Sequence, residues 1–271
     1  MKRSNSKQGE RSNSASGLSF WEHLDELRSV IIRCVVAWAV CAAAMFCLRD
    51  GLFAFLFAPS QPDFILYRLL NRLAEATGYQ ALGVASFEPQ FINTQLAAQF
   101  TTHLEVAAMA GLVLAFPYLL WQLYGFVAPA LYPNEKRAAG RIICFGTVLF
   151  LAGLALNYLI IFPFAFRFLS TYQVQAQVVN QIALGSYVST LLVLSLLMGL
   201  LFEMPMAAWA LAKAGILHAD TLRKYRKHAF VGLMIIAAVI TPTGDAFTLL
   251  LVTLPLYLLY EVSIAVIRNT H

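Results

Sequence analysis

The chain predicts an all-α integral membrane protein of six transmembrane helices, and three observations carry that class. Of its 271 residues, 60% are hydrophobic and only 12% charged, and the mean hydropathy is +0.70. A soluble domain does not have that composition. Apolar runs long enough to cross a hydrocarbon core recur along the chain, separated by polar segments that carry most of its Lys and Arg. Spans are expected at 30–48, 104–126, 142–162, 187–212 and 247–267, with a shorter one at 229–240. The last two in chain order are read as a short pair, and the segment 49–103 between the first two is the largest extramembrane piece.

Orientation follows from the bases, because cytoplasmic loops retain Lys and Arg. With the N-terminus inside, all of the 19 Lys and Arg except Arg49, Arg68, Arg72 and Arg167 fall in cytoplasmic segments. Both termini are therefore expected in the cytoplasm. Residues 1–18 are rich in Ser, Asn, Gln and Lys and hold too little apolar surface to fold, so they read as a disordered tail ahead of a single domain at 19–268. A cleavable signal peptide is not expected, since the first apolar run begins near Val30, behind an acidic segment.

Several function classes fall away on chemistry. Cys34, Cys41, Cys47 and Cys144 lie inside or at the edge of spans, where Cys acts as a small hydrophobe. Cys34 and Cys41 stand about 10 Å apart along a helix, too far for a disulfide. No CxxC, HExxH or HxxEH pattern suggests a metal, and no GxxxxGK[ST] loop suggests a nucleotide, so no cofactor is expected. His23, His103, His218 and His228 fall outside the spans or at their ends, with no nucleophile–base pairing, so the chain is not read as an enzyme.

In the outer loop, Leu66, Leu69, Leu70 and Leu73 fall at i, i+3, i+4, i+7, and Arg68, Asn71, Arg72 and Glu75 repeat that spacing on the other face. This predicts an amphipathic helix. A second, more polar helix is predicted from Pro89 into the following span, with Pro at its first turn. Together the two form a helical cap on the extracytoplasmic side, the rival being a helix that lies on the lipid surface.

Acids stand out at four places. Ser19 and Glu22 form a capping-box pattern for a helix whose apolar face holds Phe20, Trp21, Leu24, Leu27 and Ile31, with Glu22, Asp25, Glu26 and Ser29 opposite. Glu135 follows Asn134, a good N-cap, and precedes Lys136 and Arg137 at the end of the run AFPYLLWQLYGFVAPALYPNEKR. Both sites admit a plain reading as complements to the helix dipole. Glu203 and Glu261 lie within apolar spans, where a carboxylate must be protonated, reach water or meet a polar group on a neighbouring helix.

These stretches resemble the TatC family, the receptor subunits of the twin-arginine protein translocase. The resemblance rests on FWEHLDELR near the N-terminus, Phe126-x-x-Pro129-x-Leu131-Tyr132 followed by Glu135 and bases, Phe202-Glu203-x-Pro205, and Thr241-Pro242 with Asp245, then Leu254-Pro255 and Tyr260-Glu261. It extends from about Ser19 to Glu261. Two positions depart from the family pattern: Tyr124 stands where a tryptophan is frequent, and Gly244 where a proline is, which Gly can replace by admitting positive φ.

The resemblance implies a receptor that binds twin-arginine signal peptides and nucleates a complex exporting folded proteins, driven by the proton motive force. It assigns signal-peptide contact to His23, Leu24, Glu26, Phe126, Pro129, Leu131, Tyr132 and Glu135. Glu203 and Pro205 are assigned to contact with single-span TatA- and TatB-type subunits, and Pro59 and Asp245 to turns. It further implies the cytoplasmic (inner) membrane of a prokaryote, contact with lipid, self-association in a larger complex and no nucleic acid. The competing class is a proton-coupled small-solute transporter with Glu203 and Glu261 as its relay, but no internal repeat of the kind such folds show is found.

Overall fold

The computed structural model describes residues 20–78, 89–127, 139–173, 175, 180–241 and 246–268. Within them the chain is helical almost throughout, because long apolar segments satisfy their own backbone in hydrocarbon only as helices. Helix α1 (Phe20–Phe46) starts directly after Ser19, which lies outside the described residues. It packs along α4 (Ala98–Val127). Gly111 permits the approach, since a Cβ there would fall 2.5 Å from the Ala42 backbone. Trp38 Nε1 donates to Ala108 O across the seam at 2.9 Å, the close small-residue contact that joins membrane helices.

The third span is a single long helical stretch with a local widening. Helix α5 (Ala139–Leu156) passes through a π turn (Asn157–Ile161) into α6 (Phe162–Thr171). Pro163 supplies the cause, since it has no N–H and its ring crowds the carbonyl four residues back. The apolar stretch therefore continues past the expected end at residue 162. Buried Asn157 donates Nδ2 to Ser195 Oγ on the next span at 2.9 Å.

The fourth span is bent. Helices α7 (Leu184–Phe202) and α8 (Met204–Lys213) meet at Glu203, where Pro205 removes the next backbone donor. Short α9 (Ala219–Lys224) leads into α10 (Arg226–Ile240), of 15 residues, and α11 (Ala246–Arg268), of 23. Five helical stretches are long and apolar enough to cross a membrane, and α10 is not among them. Of the expected short pair, only the fifth is short. The sixth, of 23 residues from Ala246 to Arg268, is long enough at 1.5 Å per residue to cross the hydrocarbon core. A buried cluster including Met198, Leu233, Ala237, Val252 and Leu256 ties α7, α10 and α11 together.

The cap is built from α2 (Arg49–Phe57), a 3-10 turn (Ala58–Ser60) and α3 (Ile65–Thr77). Tyrosines on the spans fix it. Tyr158 OH donates to Phe55 O at 2.6 Å and Tyr187 OH to Leu56 O at 2.9 Å, satisfying carbonyls at the end of α2. Tyr67 on α3 is fully buried and its OH lies 3.1 Å from Pro163 O and 3.3 Å from Pro59 O. Burial pushes the Tyr67 phenol up to about 12, although the Arg167 guanidinium over its ring opposes the shift.

One expectation for this loop holds, the amphipathic helix, and one is corrected. Helix α3 exists, but it docks through Tyr67 and Ala74, while Leu69 and Leu73 are 55% and 45% exposed. An aromatic hydroxyl with two carbonyl acceptors within reach outcompetes the leucine stripe for the protein-facing side. No helix starts at Pro89. Phe91–Ile92 forms a parallel strand pair with Ile182–Ala183, so the segment before α4 is extended and stitched to the start of α7.

Candidate functional site

Where α1 begins and α4 ends, on one face of the bundle, a cavity of about 350 Å³ opens between them. Glu26, Ser29, Val30 and Arg33 line it from α1 at i, i+3, i+4, i+7, and Gln122, Gly125 and Phe126 from α4 at i, i+3, i+4. The half-buried Glu26 carboxylate has no hydrogen bond or ion pair with any described residue. Gln122 Nε2 donates to Tyr118 OH at 2.7 Å, which holds its amide in place. An unengaged carboxylate beside a fixed amide suits a guanidinium, whose planar fork a carboxylate accepts bidentately. Arg33, two turns deeper, confines a cationic ligand to the Glu26 end.

Of the residues singled out from sequence, the structure brings Glu26 and Phe126 together. Leu24 is exposed on another face of α1. The His23 side chain and Pro129, Leu131, Tyr132 and Glu135 lie outside the described residues, as does Asp245. Ser29 was already placed on the Glu26 face, whereas Arg33, Gln122 and Gly125 were missed, yet helical spacing from Glu26 and Phe126 would have found all three. Pro59 sits buried in the 3-10 turn of the cap, with Tyr67 OH at its carbonyl.

Glu203 occupies the break between α7 and α8, and among the described residues neither of its buried carboxylate oxygens has a hydrogen-bond partner. Its side chain faces α5, where Gly146 makes room: a Cβ there would fall 3.2 Å from Glu203 Oε2, 2.7 Å from Met206 Sδ and 2.9 Å from Leu120 Cδ1. Pro205, itself buried, sets the bend that turns the carboxylate inward. Glu261 differs. Arg226 Nη2 donates to its Oε2 at 2.6 Å and Tyr257 OH to its Oε1 at 3.1 Å. The expectation that both acids sit among apolar side chains therefore holds for Glu203 and not for Glu261. Among the described residues no group of three His, Cys, Asp or Glu converges to hold a metal.

A family model described as Sec-independent protein translocase protein (TatC) matches residues 22–255. The chain belongs to the TatC family. The Sec-independent protein translocase protein TatC of Blattabacterium is 33% identical over 255 residues, covering 93% of this chain and 96% of the relative. That of Escherichia coli strain K12 is 30% identical over 243 residues, covering 89% and 85%. The crystal structure of a twin arginine translocase receptor, TatC, superposes with a TM-score of 0.70 at 28% identity, covering 91% of this chain and 98% of the other. The chain is thus a multi-pass membrane component of the Sec-independent protein translocase.

Proposed function

We propose that this translocase component is the receptor for twin-arginine signal peptides on folded precursor proteins, with Glu26 accepting one arginine of the pair. The observation that carries the reading is the cavity between the start of α1 and the end of α4, where a carboxylate with no partner among the described residues lines the same space as Phe126. In sequence, Pro129, Leu131, Tyr132 and Glu135 follow Phe126 within a few residues and His23 and Leu24 precede Glu26, and all six are taken as further signal-peptide contacts. This face is cytoplasmic, both termini lie inside, and the membrane is the inner membrane of a prokaryote. The chain crosses it six times, α10 included, over a domain at 19–268.

Glu203 and Pro205 contact the single span of TatA- or TatB-type subunits. A buried carboxylate with both oxygens unsatisfied is costly, and a donor on a partner helix relieves it. Asp245 belongs to the turn ahead of α11. The proton motive force drives transport, the receptor self-associates within the larger complex in lipid, and it performs no catalysis. A proton relay through Glu203 and Glu261 is disfavoured, because Arg226 engages Glu261.

A photo-crosslinking residue at Gln122 tests the receptor reading. It should capture a precursor with paired arginines and lose most of that capture when both are lysine. Equal capture of the two precursors overturns the assignment.

A further inference from the structure

At the opposite face of the membrane a second cavity, of about 550 Å³, lies outside everything assigned so far. Its size falls within the range of small-ligand sites, roughly 300–1,000 Å³. Arg49 and Asp50 line it just beyond the end of α1, Gln99 and His103 from the first turns of α4. Leu184, the first residue of α7, closes one side, so three span ends meet there at the membrane boundary.

None of the four polar side chains makes a hydrogen bond or ion pair with a described residue. The His103 ring stacks on Phe46 with centroids 4.0 Å apart, and its buried Nε2 has no partner among the described residues. Arg49, Asp50 and Gln99 are exposed at the cavity, where a bound headgroup can reach them. A cation and an anion adjacent in sequence ask for one carrying both charges close together. The hydrocarbon side asks for an apolar tail. Phe100 at the cavity rim and Leu104 one turn deeper on α4 are 63% and 54% exposed, a continuous apolar track into the bilayer.

We propose that this cavity seats the headgroup of a phosphatidylethanolamine, its phosphate on Arg49 and its ammonium on Asp50 and Gln99, with an acyl chain along Phe100 and Leu104. The short link between phosphate and ammonium suits two adjacent residues of opposite charge. An anionic lipid lacking the ammonium would set its phosphate against Asp50.

The test is native mass spectrometry of the full chain released from detergent after equilibration with equal amounts of phosphatidylethanolamine and phosphatidylglycerol. The wild type should retain the ethanolamine lipid about tenfold over the glycerol lipid, the scale of one charge-assisted hydrogen bond. Asp50→Asn should erase that preference. Arg49→Gln should lower retention of both lipids, and Arg49→Lys should restore much of it. If Arg49→Gln fails to give a monodisperse protein, the Asp50→Asn comparison decides alone.

A wild type that retains the two lipids equally, or an Arg49→Gln chain that retains them like the wild type, overturns the proposal. So does a photo-crosslinker at Phe100 that captures a partner polypeptide in the assembled translocase and no lipid. Signal-peptide binding should be unchanged in all three variants, since none touches the Glu26 cavity. Failure here therefore leaves the receptor reading standing.

Discussion

A carboxylate in an apolar helix is tolerated when a cation or a donor reaches it, and the two intramembrane acids divide on that condition. Arg226 and Glu261 are partly exposed, so as a pair they contribute on the order of 1 kcal/mol or less. Removing one partner costs more than the pair is worth, because the other charge is left at the membrane. Arg226→Leu should therefore lower the thermal midpoint in detergent further than the Arg226→Leu/Glu261→Leu double variant does. A double variant less stable than the single one would contradict this account. Glu203 has no hydrogen bond to a described residue to lose. Glu203→Leu should leave the isolated chain as stable as the wild type or more so, yet abolish crosslinking to the single-span partners, whereas Glu203→Gln should keep most of it, since an amide donates and accepts. Loss of stability in Glu203→Leu would mean that the carboxylate serves the fold of the chain itself. Both acids were legible in the sequence as costly positions. Their fates were not, because Arg226 and Glu261 lie on different helices and only packing reveals their meeting.

At the scale of elements, what an apolar run can dictate was legible: the long spans follow the runs closely, since a helix is the only local structure that satisfies backbone in hydrocarbon. The π turn and the bend at Glu203 were written in Pro163 and Pro205, and both prolines sit where a helix loses a donor. The cap was less legible. Leucine spacing predicted α3, but tertiary contacts chose Tyr67 as its docking side, and pairing of Phe91–Ile92 with Ile182–Ala183 joins residues too distant in sequence for any local pattern to show. Tyr67→Phe should lower cap stability by about 1 kcal/mol, the worth of one buried hydrogen bond, read as faster amide hydrogen exchange in α3 with the spans unaffected. Unchanged exchange in α3 would remove Tyr67 from the docking. Helix α10 poses a length problem. Its 15 residues reach about 22 Å at 1.5 Å per residue, against a hydrocarbon core of about 30 Å. The hypothesis that it thins the bilayer where the partner subunits gather predicts that four leucines inserted after Ile236, about one added turn, slow transport. Wild-type transport by a normally assembled variant would exclude thinning from the mechanism.

For the whole molecule, the two cavities mark opposite faces, one at the start of α1 and the other at its end. The proposed orientation puts the Glu26 cavity in the cytoplasm, so an impermeant thiol reagent should label Gln61→Cys in intact cells in a cysteine-free background and spare Asp220→Cys. The reverse pattern would invert the topology and place the receptor surface on the wrong side. The family was legible from its motifs, and of the eight candidate recognition residues two, Glu26 and Phe126, meet in the α1–α4 cavity. The central claim is that Glu26 recognises arginine as a fork and not merely as a charge. One pair at 4 Å is worth about 1 kcal/mol in water and about 4 kcal/mol at an effective dielectric near 20. The direct measurement is the affinity of purified wild type and Glu26→Gln for a signal peptide with paired arginines and for the same peptide with paired lysines. The wild type should bind the arginine peptide at least tenfold more tightly, and Glu26→Gln should lose most of that margin while remaining folded. Equal discrimination by the two proteins would contradict the account.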